Sequence, residues 1–275
     1  MTLELETRLA ASDLEGLKAA SDEIGFCIAA QCFSADEVEE IREFFQQGRQ
    51  LKAEKGGFDK SMLEGKQGKA LQEWPRFLHP HRDHELALRY LLHPQVKQIL
   101  TALMGGTEPL AAQTMYYFKA PGAGGQQLHQ DNIYLQAEPF TCVAAWTAID
   151  RTDEDNGGLM LVPGTHKMEL DCRSDSDGQV HARNVRLPKG AKAICAKMEP
   201  GDTLFFNGQI IHGSGPNRTT DRFRRSFIGH YISGTSEKVA GFYHPILNFE
   251  GEVVSIAKNE GGGPCGFEMN GNSAY

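Results

Sequence analysis

The character of the chain changes within residues 105–119, GGTEPLAAQTMYYFK. Beyond Gly105 and Gly106, short runs rich in aromatic and β-branched residues alternate with clusters of Gly, Pro, Asn and Asp. This pattern is typical of strands separated by turns. The predicted strands are 115–118, 141–149, 158–162, 193–196, 203–206 and 223–232. An antiparallel β-sandwich or barrel is the simplest architecture for them.

Helical spacing dominates upstream of this point. Ser34 and Glu37 form a capping box that predicts the start of a helix, and residues 83–104 predict two helices that divide at Pro94. The short apolar run 24–30 predicts a strand, whereas the Gly-, Lys- and Gln-rich residues 46–82 predict loops.

The length fits one domain, since β-sandwiches and barrels of 275 residues are commonly single units. We expect a mainly β protein with packed helices. An N-terminal helical layer over about 1–104 precedes the β core over about 105–250 and a C-terminal tail over 251–275.

Charge and hydropathy exclude some partners. A net charge of −8 does not suit a nucleic-acid binder, which needs a positive face. The chain contains no run of about 18 apolar residues, and its first residues lack the pattern of a secretory signal. We therefore expect a cytoplasmic protein that acts on a small molecule; the oligomeric state cannot be predicted from these features.

The cysteines are scattered without a CxxC pair, and several lie in apolar runs. This distribution predicts reduced, packed thiols instead of a disulfide framework. The six residues are Cys27, Cys32, Cys142, Cys172, Cys195 and Cys265.

An imidazole and a carboxylate lie two residues apart at His129 and Asp131. If this segment is extended, both side chains point to one face and Gln130 points to the other. A third candidate ligand, His212, follows an apolar run and precedes a Gly-Ser-Gly turn. Two histidines and one carboxylate leave three positions of an octahedron open, which suits non-haem iron(II). Alone, an HxD pattern fits a surface histidine beside a hydrogen-bonded aspartate equally well.

Four arginines fall within residues 218–225, and the last of them enter a predicted strand. A 2-oxo acid that chelates iron needs a guanidinium group and a hydroxyl group to hold its distal carboxylate. Arg224 and Ser226 share one strand face and supply both. The alternative is a solvated basic strand edge.

Several motifs occur together and in order: Pro121-Gly122, His129-Gln130-Asp131, residues 145–148 (AWTA), residues 156–166 (NGGLMLVPGTH), Gly201-Asp202, residues 212–217 (HGSGPN) and Phe223-Arg224. Over about residues 20–245 this pattern resembles the phytanoyl-CoA dioxygenase family.

The resemblance implies a double-stranded β-helix (jelly-roll, cupin-like) core and hydroxylation of a small molecule with O2. Iron(II) would bind His129, Asp131 and His212, and 2-oxoglutarate would bind an arginine after the second histidine. Because the spacing is one residue longer than usual, Arg224 is the first choice, with Arg225 and Arg222 as alternatives.

The resemblance also places Trp146 and Ser214 beside 2-oxoglutarate, and one of Gln113, Tyr117 and Lys119 as a further ligand of the co-substrate or the substrate. Related halogenases replace the metal-binding carboxylate by a small residue. The aspartate at position 131 therefore favours hydroxylation.

Other polar residues have two interpretations. We expect residues 79–84 (HPHRDH) to form a solvated loop; the alternative is that they contact substrate. We expect His166 to stabilise its turn by hydrogen bonds. His230 reaches the pocket or packs in the core, and Trp74 with Phe77 lines the pocket or caps the core. Residues 167–190 form a lid or an irregular excursion.

The substrate itself is not specified by these motifs. The basic residues favour an anionic molecule, although neighbouring acidic residues fit a solvated face. Two other functions remain open: a metal-binding isomerase of cupin-like fold, and a non-catalytic ligand-binding protein. The basic residues are Lys52, Lys55, Lys66, Lys69, Arg76 and Arg82.

Overall fold

The computed structural model describes residues 7–54, 76–172, 185–261 and 263–266. Its helices precede the β core, apart from one short helix inside it. They are α1 (Leu14–Ile24), α2 (Ala35–Glu54), α3 (Glu85–Leu91), α4 (Pro94–Leu103) and α5 (Asn132–Leu135).

The larger sheet has nine strands: β1 (Arg8–Ala10), β2 (Phe26–Ala30), β3 (Phe77–Leu78), β4 (Pro109–Lys119), β6 (Val143–Ala148), β9 (Thr203–Asn207), β11 (Arg224–Ser233), β13 (Ile246–Leu247) and β14 (Val253–Val254). Their order is β1-β2-β9-β6-β11-β4-β13-β14, with β3 also on β4. Apart from the parallel pair β1–β2, neighbouring strands are antiparallel.

A smaller sheet has the order β5-β10-β7-β8. Its strands are β5 (Gln126–His129), β7 (Leu159–Leu161), β8 (Ile194–Cys195) and β10 (His212–Ser214). A parallel pair, β12 (Lys238–Ala240) and β15 (Ala257–Asn259), stands apart from both sheets.

Alternation along β4 places two different cores on the two faces of the larger sheet. Tyr116 and Phe118 pack with helix residues such as Ile41, whereas Met115 packs with Leu161 of the smaller sheet. The larger sheet therefore lies between the helical layer and the smaller sheet. This arrangement confirms the predicted mainly β, jelly-roll class with packed helices.

The boundary of the first predicted strand is wrong by two residues. Ile24 is the last residue of α1, and Gly25 ends the helix with φ +93° while its amide donates to Ser21 O at 2.8 Å. A side chain at this left-handed position would also meet the ring of His166. The capping box is confirmed: Ser34 N donates to Glu37 Oε2 at 2.8 Å, and Glu37 N donates to Ser34 Oγ at 3.3 Å.

The loop predicted over 46–82 is wrong at both of its described ends. Residues 46–54 continue α2, and β3 is followed by a 3₁₀ turn at Pro80–Arg82. His79 and His81, expected in a solvated loop, are only 6 % and 5 % exposed. The pairing of β3 with β4 carries the chain inward, so that His79 packs on Phe242 and His81 Nδ1 lies 2.6 Å from Thr114 Oγ1.

Some sequence expectations lie outside the described residues. They are the contribution of Trp74, the charges of Lys55, Lys66 and Lys69, and the middle of the proposed lid, residues 173–184; the side chain of Lys52 is also outside.

The segment expected as a C-terminal tail carries β14 and β15, and β14 extends the larger sheet. The single domain and the limits of its three parts stay predictions. Among the described residues, no helix combines the length and the apolar composition that a membrane span requires.

The expectation of six reduced thiols is wrong for two cysteines. Cys172 and Cys265, 93 residues apart, form a disulfide with a Cα–Cα distance of 5.0 Å. Sequence spacing could not indicate this pair, because it depends on the C-terminal residues returning to the connection after β7. Cys27, Cys32, Cys142 and Cys195 are free, and burial raises the pKa of the Cys32 thiol to about 12.

The disulfide determines how many thiols of the protein can react. Denatured protein that has not been reduced should expose four reactive thiols per chain, the number of free cysteines, and reduced protein should expose six. Titration with a thiol reagent measures both. The Cys172→Ser variant should give five before and after reduction; six thiols in unreduced wild-type protein would contradict the bridge.

The contact between the helical layer and the sheet depends on Phe45. Its ring is fully buried and stacks on Tyr116 with centroids 4.0 Å apart. Replacement by Ala should lower the free energy of unfolding by about 3–5 kcal/mol, since a large buried side chain leaves a cavity. Urea denaturation measures the loss, and the half-buried neighbour in Phe44→Ala should cost clearly less.

Candidate metal centre

The first two candidate ligands lie where β5 ends. His129 is the last residue of β5, and Asp131 precedes α5 with helical φ and ψ of −64° and −31°. The segment is therefore a strand followed by a turn, and not the extended segment of the sequence argument. The turn still brings both side chains to one point, where they are 2 % and 1 % exposed. Gln130 points away and donates from Nε2 to Gln209 O at 2.8 Å.

Strand pairing supplies the third ligand. β10 runs antiparallel to β5, with His212 directly opposite His129, and the two ring centroids are 4.2 Å apart. Asp131 Oδ1 lies 3.6 Å from His129 Nε2 and 3.5 Å from His212 Nε2. One donor atom from each residue lies within 4.8 Å of the others, so the three residues can hold one metal ion.

Backbone carbonyl groups fix the orientation of both imidazoles. His129 Nδ1 donates to Gln127 O at 2.9 Å, and His212 Nδ1 donates to Ile210 O at 3.1 Å. With the proton on Nδ1, the lone pair of each Nε2 faces the common point, as in histidines that bind metals. Two imidazole nitrogens and a carboxylate are the donors that suit non-haem iron(II).

Asp131 is held as a carboxylate. Burial opposes its ionisation, but the neighbouring imidazoles of His212 and His230 and the hydrogen bond from His230 outweigh this effect. They hold the pKa of the Asp131 carboxyl below its usual range. The group is therefore ready to bind a cation.

A cavity between the two sheets contains the candidate ligands. Its wall combines these polar residues with apolar side chains from β4, β6, β7, β9 and β11. The lining residues are Met115, Tyr117, Gln126, His129, Asp131, Trp146, Leu159, Phe206, His212, Arg224, Ile228 and His230. The metal donors therefore face a cavity whose remaining wall is largely apolar, as is common in small-molecule sites.

Arg224 brings a positive charge into this cavity. Its guanidinium carbon lies 5.4 Å from the ring centre of Trp146, and it donates to Gly157 O and Ser226 Oγ, both at 3.2 Å. Burial lowers the pKa of Arg224 to about 10, so the group remains a cation at neutral pH. In the described part of the chain, no carboxylate forms an ion pair with it.

The two alternative arginines face carboxylates elsewhere. Arg225 donates to both oxygens of Asp150, at 2.8 and 2.7 Å, and Arg222 donates to both oxygens of Asp153, at 2.7 and 3.0 Å. Neither lines the cavity. Of the three candidate arginines, Arg224 is therefore the one that lines the cavity and has no carboxylate partner among the described residues.

Not every residue implied by the resemblance reaches the cavity wall. Tyr117 and Trp146 line it, whereas Gln113, Ser214 and Ser226 are buried but are not among its lining residues. Their roles as ligands of 2-oxoglutarate stay predictions.

Lys119 lies near Arg224 but is not among the residues that line the cavity. It is 8 % exposed and donates to Ser214 Oγ at 2.8 Å. Burial and the charge of Arg224 lower the pKa of Lys119 to about 6. At neutral pH Lys119 is therefore mainly a neutral amine, and its hydrogen bond to Ser214 links β4 to β10.

His230 reaches the site, which decides between the two interpretations of this residue: its Nε2 lies 3.2 Å from Asp131 Oδ2. His166 braces its turn, as expected, by donating from Nε2 to Asp22 O at 3.2 Å. Sequence reasoning missed Met115 and Ile228, although the two-residue period of strands places them on the faces of Tyr117 and Arg224. It also missed Gln126, which β5 carries three residues before His129.

The jelly-roll fold and the two-histidine, one-carboxylate centre define the class of mononuclear non-haem iron proteins. The sequence model of the phytanoyl-CoA dioxygenase family matches residues 21–226. The chain belongs to this family of iron(II)- and 2-oxoglutarate-dependent oxygenases, which confirms the predicted resemblance.

Curated relatives include the peroxisomal phytanoyl-CoA dioxygenases of Rattus norvegicus and Homo sapiens. The rat protein is 29 % identical over 255 residues, which are 88 % of this chain and 75 % of the relative. The human protein is 34 % identical over 185 residues, which are 64 % of this chain and 54 % of the relative. The chain thus spans between about half and three quarters of these relatives.

Solved structures share the fold at low identity. The non-heme α-ketoglutarate-dependent carbocyclase SnoK from nogalamycin biosynthesis gives a TM-score of 0.65 at 18 % identity, covering 84 % of this chain and 88 % of the other. EctD from S. alaskensis, solved with 2-oxoglutarate and 5-hydroxyectoine, gives 0.65 at 18 % identity, covering 83 % and 78 %. The epimerase SnoN gives 0.62 at 19 % identity, covering 81 % and 84 %.

Metal binding can be tested without turnover. We expect the metal-free protein to bind one Co²⁺ ion per chain, and His212→Ala to abolish this binding, because it removes one of three donors. Absorption titration under anaerobic conditions measures the stoichiometry. His84→Ala, which changes an exposed histidine, should bind as wild type does; unchanged binding by His212→Ala would refute the assigned centre.

Proposed function

We propose that this protein is an iron(II)- and 2-oxoglutarate-dependent dioxygenase that hydroxylates an unactivated C–H bond of a small molecule. The observation that carries the proposal is a single cavity whose wall holds three metal donors and a buried guanidinium group. Among the described residues, that guanidinium group has no carboxylate partner. In the overall reaction, the substrate, O2 and 2-oxoglutarate give the hydroxylated product, succinate and CO2.

The metal ligands of the proposed enzyme are His129, Asp131 and His212. Iron(II) bound there would supply the activation of oxygen, with 2-oxoglutarate as the source of two electrons. The protein contributes fixed tautomers at both histidines and an ionised carboxylate at Asp131. These features preorganise the donors before any cofactor arrives.

The anchor of the co-substrate is Arg224. A guanidinium fork binds a carboxylate in two hydrogen bonds, and the ring of Trp146 beside it limits where the fork can point. Met115 and Phe206 add apolar surface to the cavity wall, and we propose that this surface limits the access of water to the reacting atoms. Ser226, Ser214, Gln113 and Tyr117 are proposed as supporting residues around the same co-substrate.

Hydroxylation is preferred over other oxidations because Asp131 retains the carboxylate that related halogenases lack. The solved neighbours include an epimerase and a carbocyclase, so the fold supports several outcomes. A cupin-like isomerase or a non-catalytic ligand-binding protein would consume no 2-oxoglutarate. Consumption of the co-substrate therefore separates these alternatives from the proposed function.

The substrate is proposed to be anionic. Within the basic region of the sequence, Arg76 is described next to the cavity wall: its guanidinium carbon lies 5.6 Å from the ring centre of Tyr117, and Nη1 is 3.4 Å from the tyrosine hydroxyl. Arg82, in contrast, donates to the carbonyl groups of Phe242 and His244. A cytoplasmic location stays a prediction.

Succinate formation tests the proposal. Anaerobically loaded enzyme with iron(II), ascorbate and 2-oxoglutarate should form succinate on exposure to O2, and one member of a panel of acyl-CoA thioesters, carboxylates, phosphonates and amino-acid derivatives should stimulate it. The stimulating compound should gain one oxygen atom, measured by mass spectrometry with ¹⁸O2. Stoichiometric product without succinate, or ligand binding without oxidation, would contradict the proposed reaction.

The arginine assignment has its own test. Arg224→Leu should raise the KM for 2-oxoglutarate by about 10- to 100-fold, because it removes charge-assisted hydrogen bonds to the distal carboxylate. Arg222→Leu is the matched control two residues away, and its loss of an ion pair at the surface should leave this KM within about twofold. Equal effects of the two substitutions would refute Arg224 as the anchor.

A further inference from the structure

The inner face of β11 carries more than the arginine anchor. Arg224, Ser226, Ile228 and His230 alternate along it toward the interior of the jelly-roll, and Arg224, Ile228 and His230 line the cavity. β4 pairs with β11 along its whole length, and β6 pairs with residues 226–231 on the other side. His230, 2 % exposed, therefore has a rigid support.

The two oxygens of Asp131 face different partners. Oδ1 lies 3.6 and 3.5 Å from the Nε2 atoms of His129 and His212, so these three atoms surround the proposed metal position. Oδ2 lies 3.2 Å from His230 Nε2, within hydrogen-bond distance. In the described ranges, His230 is the side chain that hydrogen-bonds this carboxylate.

This division matters for the number of open coordination positions. A carboxylate can bind a metal through one oxygen or through both. Two histidines and one carboxylate oxygen leave three of six octahedral positions open, and these are needed for a chelating 2-oxo acid and for O2. A carboxylate that bound through both oxygens would leave only two.

We propose that His230 is a positioning residue that reserves Oδ2 of Asp131, so that the aspartate binds the metal through Oδ1 alone. The inference rests on the proposed function for its purpose, but its geometry concerns only the metal centre. His230 Nε2 donates its proton to Oδ2, which fixes the plane of the carboxylate and occupies the second oxygen. The same strand thus holds the anchor of the co-substrate and the support of a metal ligand.

Metal affinity provides the first test and does not depend on oxygenase activity. His230→Leu, which fills a similar volume without a donor, should weaken Co²⁺ binding to the metal-free protein by about 10- to 100-fold. His230→Gln, whose amide can donate to the same oxygen, should stay within about threefold of wild type. His230→Asn is polar but too short to reach, and should behave as His230→Leu does.

The second readout is chelation of the co-substrate. Anaerobic iron(II) protein should give a visible charge-transfer band with 2-oxoglutarate, and in His230→Leu this band should require at least 10-fold more 2-oxoglutarate. Ser233→Ala is the matched control, because Ser233 is equally buried on β11 and lies outside the cavity wall. It should match wild type in both measurements.

Each result separates the two proposals. Wild-type affinity for Co²⁺ in His230→Leu, with an unchanged chelation band, would overturn the role of His230. An equal loss in His230→Gln and His230→Leu would also overturn it, since a requirement for this donor predicts rescue. Absence of the band in wild-type protein that binds Co²⁺ tightly would contradict the oxygenase function while the affinity series still tests His230.

Discussion

The register between β5 and β10 is the constraint on which the site depends. It sets His212 directly opposite His129, so two residues 83 positions apart in sequence present their Nε2 atoms to one point. Because side chains alternate along a strand, a slip by one residue would turn one imidazole to the opposite face. The turn at Gln130 and Asp131 then adds the carboxylate, and the larger sheet closes the cavity from the other side.

Around this centre, different strands provide the polar and the apolar residues of the site. The smaller sheet provides both histidines, and β11 of the larger sheet provides Arg224 and His230. Residues of β4 and β6, such as Met115 and Trp146, line the cavity between them. The helical layer packs on the outer face of the larger sheet and contributes none of the described lining residues, so its role is to hold the sheet in shape.

Much of this arrangement could be predicted from the sequence, because it depends on local periods and on short motifs. The capping box at Ser34, the division at Pro94 and the shared face of Arg224 and Ser226 all follow from spacing within a few residues. The features that were missed depend on distant contacts instead. His79 and His81 are polar in composition, yet strand pairing at Phe77 carries them into the core, and the Cys172–Cys265 bridge joins segments that no local pattern connects.

The ion pairs on either side of Arg224 determine where the positive charge of this segment acts. Asp150 and Asp153 neutralise the arginines at positions 225 and 222, so the run of basic residues carries its net positive charge into the cavity at a single point. The two aspartates thus neutralise the charges next to Arg224. Without Asp150, the guanidinium group of Arg225 would be an unpaired positive charge on the outer face of the sheet, one residue from Arg224. A dicarboxylate would then be attracted both to Arg224 in the cavity and to Arg225 outside it, and the electrostatic field would no longer direct it into the cavity.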